Sequence, residues 1–130
     1  VFEEMCRHFT LCLGLEGKLN YFVTEVGTWW GTEQLLTEDG QRITQSADVD
    51  IVGRSPVEKR LVTGECKFKN EKLDKKAYET LVRRSRIIPG KYPVGQYLLF
   101  SLSGFTDWIL EHTDEKEVKC YTLDDLYAEE

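Results

Sequence analysis

The sequence contains no run of 18 or more apolar residues and no charged leader followed by an apolar segment. It therefore predicts neither a membrane-spanning helix nor a signal segment, and we expect a cytoplasmic protein without a membrane partner. Its four cysteines form no C-x-x-C pair, and its two histidines lack a second ligand at metal-binding spacing. Reduced, mostly buried thiols are therefore expected, rather than a disulfide framework or a zinc site.

The chain has 130 residues, of which 41% are hydrophobic, and this length fits one domain with a sizeable core. Period-2 alternation predicts a hairpin of strands near 47–53 and 61–68, which is joined by a turn containing Ser55 and Pro56. Further predicted strands lie at 21–26, 94–101 and 118–122. Helices are predicted at the start of the chain, over 72–86, from an N-cap at Asp107 and over 123–128. These elements predict an α/β (α+β) fold, in which a mixed sheet is flanked by helices within a single domain, 1–130.

Charged side chains interrupt the two apolar strands of the predicted hairpin. Asp50 lies among Val and Ile residues on the first strand, and Glu65 and Lys67 share one face of the second. A suitable register brings the two carboxylates and the ammonium together. Carboxylates are the ligands that Mg²⁺ prefers, so Asp50 and Glu65 are candidate ligands for Mg²⁺ or Mn²⁺. Lys67 is then placed to orient or help deprotonate a water nucleophile.

These positions also have structural interpretations that involve no chemistry. Asp50 could cap a turn, and Glu65 with Lys67 could form an exposed cross-strand face that contributes little to stability. Asp107 at the start of a short helix is better explained as a cap than as a catalytic group. The adjacent tryptophans at 29 and 30 lie at a predicted turn or strand entry, where they could stack on unpaired bases or pack in the core.

The net charge of −6 is unevenly distributed along the chain. Residues 54–91 contain 12 Lys or Arg and 5 Asp or Glu, a local balance of +7, whereas the remainder has a balance of −13. This basic block surrounds Glu65 and Lys67, so its field could hold phosphates. The candidate nucleic-acid-binding residues are the lysines that follow the second strand: Lys69, Lys72, Lys75 and Lys76. A solvated helix face would account for the same charges.

An Asp followed across a hairpin by Glu-x-Lys resembles the core of the PD-(D/E)xK nuclease superfamily, which has a restriction-endonuclease-like fold. The resemblance implies catalytic roles for Asp50, Glu65 and Lys67. That superfamily begins with a helix that carries a glutamate, and here either Glu3 or Glu4 would take this role, with Glu3 preferred. A helix and a strand should follow the Glu-x-Lys strand, as predicted above.

Five short segments resemble more closely the nuclease-like C-terminal domain of archaeal and bacterial AAA-type DEXX-box ATPases. They are FEE with the following CR (2–7), VGTWWG (26–31), DVDIV (48–52), GECK (64–67) and FSLSGF (100–105). The resemblance implies that the chain is the C-terminal fragment of a longer ATPase, with the N-terminal ATPase domain as a partner and a homo-oligomer as an option. No P-loop is present in these 130 residues, so any ATPase site belongs to the remainder. Asp48 departs from the glutamate expected at its position.

Three functions are compatible with these features. The first is a Mg²⁺- or Mn²⁺-dependent endonuclease, with DNA as the expected substrate. In it Asp50 and Glu65 bind the metal, Lys67 assists the water and Glu3 binds or orients from the helix. The second is a module that binds nucleic acid without cutting it. The third is a docking module that regulates the attached ATPase. The complete set of acidic and basic positions favours the first.

Overall fold

Five strands form one mixed sheet whose spatial order, β1-β2-β3-β4-β5, is also their order in the chain. The computed structural model describes residues 1–128. β1 and β3 each pair antiparallel with β2, whereas β3–β4 and β4–β5 are parallel. This mixed sheet with flanking helices confirms the predicted fold class. The elements are α1 (Phe2–Leu15), β1 (Glu25–Leu36), β2 (Arg42–Ser55), β3 (Arg60–Lys67), α2 (Lys75–Ser85), β4 (Val94–Ser101), α3 (Asp107–His112), β5 (Val118–Thr122) and α4 (Leu123–Ala128).

Two apolar clusters hold the helices against the sheet. In the first, α1 buries four side chains at helical spacing, Phe2, Cys6, Phe9 and Leu13, together with apolar residues of β2, β3 and β4 and with Leu126 of α4. In the second, Leu81 of α2 and Ile109 of α3 pack with Leu99 of β4. The sheet therefore has helices on both faces, and β3 lies at its centre. Among residues 1–128, no helix is both long and apolar enough to cross a membrane.

The helix predicted over 72–86 begins at Lys75, because Asp74 is its N-cap. The Asp74 carboxylate accepts a hydrogen bond from the Ala77 amide at 3.0 Å. At the other end, Ser85 is buried and its hydroxyl lies 2.8 Å from that of Thr63 on β3. The helix that follows β4 begins at Asp107, but its N-cap is Thr106 rather than Asp107 as predicted.

The strand predicted at 21–26 is wrong in position, because β1 spans Glu25–Leu36 and runs through the tryptophan pair. A Cβ at Gly31 would collide with the Trp29 indole, so the glycine lets this ring lie flat along the strand. The sequence suggested a turn there because Gly31 follows the pair directly. The turn lies further on, at Asp39 and Gly40, where Gly40 has φ 83° and β1 is joined to β2.

The first hairpin extends beyond the rest of the sheet. Only residues 51–55 of β2 pair with β3, whereas residues 42–49 pair with β1 alone. We call residues 29–49 the β1–β2 arm. Glu33 on this arm is only 5% exposed, and its carboxylate accepts hydrogen bonds from Arg83 (2.7 Å, Nη2 to Oε1) and Arg84 of α2. Burial raises the pKa of Glu33, but the two guanidinium groups outweigh it and hold the pKa below its ordinary value.

We expect Glu33→Ala to destabilise the domain by about 1–3 kcal/mol, because it leaves two guanidinium groups of α2 without their buried partner. Urea unfolding at neutral pH measures the change. The matched control is Glu25→Ala, which removes an exposed ion pair with Arg54 (3.6 Å) and should cost about 0.5 kcal/mol or less. Equal losses in the two variants would contradict a structural role for the Glu33 contacts.

Candidate active site

A β-bulge places Asp50 at the point where β2 leaves β3. The β1–β2 register passes from Gly27 opposite Val52 to Trp29 opposite Val49, so Thr28 faces two residues of β2, Asp50 and Ile51. Such a bulge bends the strand and changes the direction of its side chains. It also removes the Asp50 carbonyl from the regular pattern of backbone hydrogen bonds between β1 and β2.

Side chains from two other elements bind this displaced carbonyl. The Thr28 hydroxyl donates to the Asp50 carbonyl oxygen at 3.0 Å, and Nη1 of Arg7 on α1 donates to the same oxygen at 3.3 Å. Arg7 also donates to the Thr28 hydroxyl at 3.0 Å. These three bonds fix the backbone of Asp50 against both β1 and α1. Neither Arg7 nor Thr28 was predicted as a site residue, although both lie within segments that carried the family resemblance.

The Asp50 side chain is 8% exposed and bridges the two strands where their backbone pairing stops. The last β2–β3 pair is Ile51 with Gly64, and beyond it Oδ2 of Asp50 accepts a hydrogen bond from the Cys66 amide at 3.0 Å. The Asp50 and Glu65 carboxyl groups lie close enough for each to change the pKa of the other. The structure thus brings together the two residues that the sequence nominated as metal ligands.

Burial is the main cause of altered acidity in this carboxyl pair. It raises the pKa of Glu65 to about 9, and the charge of Asp50 and the hydrogen bond to it add to the effect. Burial likewise raises the pKa of Asp50, although the Cys66 amide and the bond to Glu65 oppose the rise. Since two adjacent buried carboxylates repel each other, the pair holds one proton at neutral pH unless a cation replaces it.

Two further acids border the pair. Glu3 is exposed on the first turn of α1, and its charge contributes to raising the pKa of Asp50. The Phe2 ring, next to Glu3, stacks on the Phe68 ring with centroids 4.7 Å apart, which anchors the start of α1 beside the end of β3. Glu3 therefore lies near enough to the carboxyl pair to act on it electrostatically, and its preference over Glu4 stays a prediction.

The other acid, Asp48, adjoins the arm contacts of α2. Its charge raises the pKa of both Asp50 and Glu65. Nη1 of Arg84 lies 3.4 Å from Oδ1 of Asp48, and the same guanidinium binds Glu33 and lowers the pKa of Glu65. Arg84 was not predicted individually, because a basic helix gives no signal for which arginine faces inward.

Lys67 ends β3 two residues after Glu65, and its side chain is 19% exposed. Its ammonium lies 3.6 Å from Oε1 of Glu71, an exposed residue of the loop that follows. An ion pair with an exposed partner contributes little to stability and opens readily, so it leaves the ammonium free to exchange partners. No sequence pattern singled out Glu71.

The basic block divides into two parts in the structure. Lys69 and Lys72 lie in the β3–α2 loop, Lys75 and Lys76 lie in the first turn of α2, and all four are exposed. They follow directly on Lys67 in the chain, and Nζ of Lys75 lies 5.3 Å from the centroid of the Trp108 ring. The arginines near the end of α2 are instead bound to acids of the arm. Of these two groups, the lysines are therefore the ones whose charge is open to an external anion.

The donor set suits a hard cation held by few protein ligands. Within residues 1–128, no group of three or more His, Cys, Asp or Glu side chains is arranged to hold a metal ion. The pair of Asp50 and Glu65 supplies oxygen donors, and Mg²⁺ is commonly held by one or two carboxylates with waters and phosphate completing its shell. The intervening Cys66 is unsuited, because its bond to the Cys6 thiol and its burial raise the pKa and keep it protonated.

All four cysteines are free thiols, two of them buried and two half-buried, as expected.

One family model matches the chain, over residues 1–81, and it is described as archaeal and bacterial proteins of unknown function. This segment spans α1 to most of α2 and includes Glu3, Asp50, Glu65 and Lys67. No curated protein and no solved structure matches the chain.

We expect Glu65→Gln to stabilise the metal-free domain at about pH 8, by on the order of 2 kcal/mol. The folded pKa of Glu65 is raised, so the wild type loses stability as the pH rises from the ordinary glutamate range towards about 9. Glutamine never ionises and escapes this loss. Urea unfolding in a chelator at about pH 5 and pH 8 measures the difference, with exposed Glu79→Gln as the control. A stability gain that is no larger at the higher pH would contradict the carboxyl pair.

Proposed function

The chain belongs to this family of archaeal and bacterial proteins, DUF234, and we propose that it is a divalent-metal-dependent nuclease domain. The proposed reaction is the hydrolysis of phosphodiester bonds, with DNA as the expected substrate. The observation that carries the proposal is the pairing of Asp50, which is buried, with Glu65, which is partly buried, and each carboxyl group has a raised pKa. Lys67 follows on the same strand, and exposed lysines come directly after it.

The carboxyl pair lowers the stability of the fold, and a bound cation would offset this loss. Each carboxyl group is buried enough to raise its pKa, and two further acids, Glu3 and Asp48, add negative potential. Clusters of acidic groups with strongly raised pKa values are commonly found at catalytic or binding sites. When bound there, Mg²⁺ or Mn²⁺ would lower the pKa of a coordinated water and neutralise charge on the phosphate.

The other roles in the proposed reaction are assigned to individual residues of the chain. Asp50 and Glu65 hold the cation, and the bonds from Arg7 and Thr28 keep the Asp50 backbone in place. Lys67 would exchange Glu71 for the water or the phosphate, where its ammonium would orient the nucleophile or, after first losing a proton to solvent, accept the proton of the water. Glu3 orients the water from α1. The lysines at 69, 72, 75 and 76 hold the phosphates that flank the scissile bond.

The resemblance to the PD-(D/E)xK superfamily supports this assignment. The helix, hairpin, helix and strand expected of a restriction-endonuclease-like core correspond to α1, β2–β3, α2 and β4. On the same resemblance we propose a single cytoplasmic nuclease-like domain that is joined to an AAA-type DEXX-box ATPase domain as its N-terminal partner, with self-association as an option.

One observation favours a silent binding or docking module as the second candidate. The carboxyl pair is satisfied by a shared proton, and the Lys67 ammonium is paired with Glu71. The polar groups of the site are thus internally satisfied without a cation. Such a module could still bind nucleic acid through its lysines or regulate the attached ATPase.

We expect Mn²⁺ binding to release a proton and to strengthen as the pH rises towards about 9, because the cation replaces the proton held by the carboxyl pair. Calorimetry in buffers of different ionisation enthalpy measures both quantities. Asp50→Ala should abolish the site, whereas Asp39→Ala, at the exposed turn of the arm, should leave it intact. Equal Mn²⁺ binding by wild type and Asp50→Ala would contradict the proposed ligands.

We expect Lys67→Ala to abolish cleavage while changing DNA affinity by only a few-fold, because many other lysines hold phosphate. Lys67→Arg should restore little activity, since a guanidinium stays protonated and has a different shape. Single-turnover cleavage and equilibrium binding with single-stranded, duplex and branched DNA in Mg²⁺ or Mn²⁺ measure these effects.

The matched control for the lysine variants is Lys91→Ala, which removes an exposed lysine of the same basic block. It should retain cleavage. Full cleavage by Lys67→Ala would remove the nuclease assignment of this triplet. The absence of cleavage by wild type on every substrate would favour the silent binding module.

A further inference from the structure

One large aromatic side chain of the arm is unusually open to solvent. Trp30 is 75% exposed, although it lies in the middle of a regular strand. Tryptophan is highly buried on average. An indole that a strand holds in solvent lacks the stabilisation of burial, so packing in the core does not account for its position. Within residues 1–128, neither a stacked ring nor a cation lies over this indole.

The preceding tryptophan shows that the exposure is specific to Trp30. Trp29 packs against the second apolar cluster, and its ring lies over Gly31 on the same face of β1. Successive side chains of a strand point to opposite faces, so Trp30 lies on the other face. The core therefore accounts for Trp29 and leaves Trp30 without a structural role.

The register places Trp30 beside the candidate active site. Trp30 and Asp48 are direct partners in the antiparallel pair, so their Cα atoms lie about 4.5–5.5 Å apart and their side chains share a face. Asp48 lies two positions before Asp50 on the same strand, which is about 7 Å along β2. The indole thus borders the carboxyl pair on the side of the arm.

The surroundings of Trp30 suit a nucleobase better than an apolar protein surface. Its neighbours on this face of the arm are exposed hydroxyl and amide side chains, namely Thr32, Gln34, Thr44 and Ser46. The nearest apolar residues on this face of β1 are Val26, four positions before Trp30 and packed against the first cluster, and Leu36, six positions after it and so about 20 Å away. Among residues 1–128, the residues that flank Trp30 directly on this face therefore form no contiguous apolar patch of the kind that marks protein interfaces. A single aromatic platform beside a site for phosphates is typical of proteins that bind single strands.

We propose that Trp30 stacks on an unpaired base of the nucleic acid whose phosphate lies at the site of Asp50 and Glu65. The faces of a base within a duplex are covered by its neighbours, so an indole reaches one only where the base is unpaired or terminal. The substrate class is therefore single-stranded or locally unpaired nucleic acid. This inference rests on the proposed function for the position of the phosphate, but the stacking contact itself is tested by binding alone.

The test compares affinities in the Lys67→Ala background with Mg²⁺, so that cleavage does not interfere. The probes are a short single-stranded DNA, its RNA counterpart and a blunt duplex of the same sequence. Trp30→Ala should weaken single-strand binding by about 5- to 150-fold and duplex binding by less than about 3-fold. Trp30→Phe should retain most of the affinity, because a phenyl ring also stacks.

Leu36→Ala is the control, since it removes another exposed apolar side chain of the same face, 71% exposed, and should leave affinity unchanged. Circular dichroism melting checks that each variant is folded. A loss on both DNA and RNA assigns the contact to the base, and a loss on one restricts the proposal to that nucleic acid. Single-strand affinity of Trp30→Ala within about 2-fold of the parent, an equal loss on duplex, or no binding by the parent overturns it.

The two proposals can fail separately in these measurements. If the wild type cleaves no substrate while Trp30→Ala still loses single-strand affinity, the nuclease assignment falls and the stacking platform stands. If cleavage needs Lys67 while Trp30→Ala binds single strands normally, the stacking platform falls and the nuclease assignment stands.

Discussion

The structure around β2 and β3 depends on two carboxyl groups that share one buried position. The carboxyl groups of Asp50 and Glu65 lie close enough for each to change the pKa of the other, and this proximity persists only while one positive charge, a proton or a cation, lies between them. The bulge, the Cys66 amide and the bonds from Arg7 and Thr28 each hold Asp50 in that position. Since two adjacent carboxyl groups lower stability unless a proton or a cation neutralises one of them, the fold is weakened at the point where we propose that a cation binds.

The second ionic group of the molecule, on α2 and the arm, has a different character. Glu33 is buried but receives two guanidinium groups, so its charge is compensated within the fold. Arg84 connects this group to Asp48 and thereby to the carboxyl pair. The arginines of α2 therefore organise the site from within, whereas the exposed lysines that precede them face solvent. A count of basic residues along the chain does not distinguish these two roles.

Local patterns predicted most of the elements because they depend on near neighbours. The strands at 94–101 and 118–122 and the last helix have the predicted bounds, and Asp50 and Glu65 lie together because a short hairpin leaves little freedom of register. The path of β1 was missed because a glycine after two tryptophans was taken for a turn. Arg7, Thr28 and Arg84 were missed because their contacts join residues at least 21 positions apart, which no local pattern records.

The parallel pairing of β3 with β4 has a consequence for how the chain can be divided. The segment matched by the family model ends at residue 81, before β4 begins. Without β4, the central strand would become an open edge with unpaired backbone groups along the GECK segment, a template for association with other chains. A fragment restricted to the matched segment would therefore contain the residues of the proposed chemistry but would expose an open sheet edge. We expect such a fragment to be less soluble than one that includes β4.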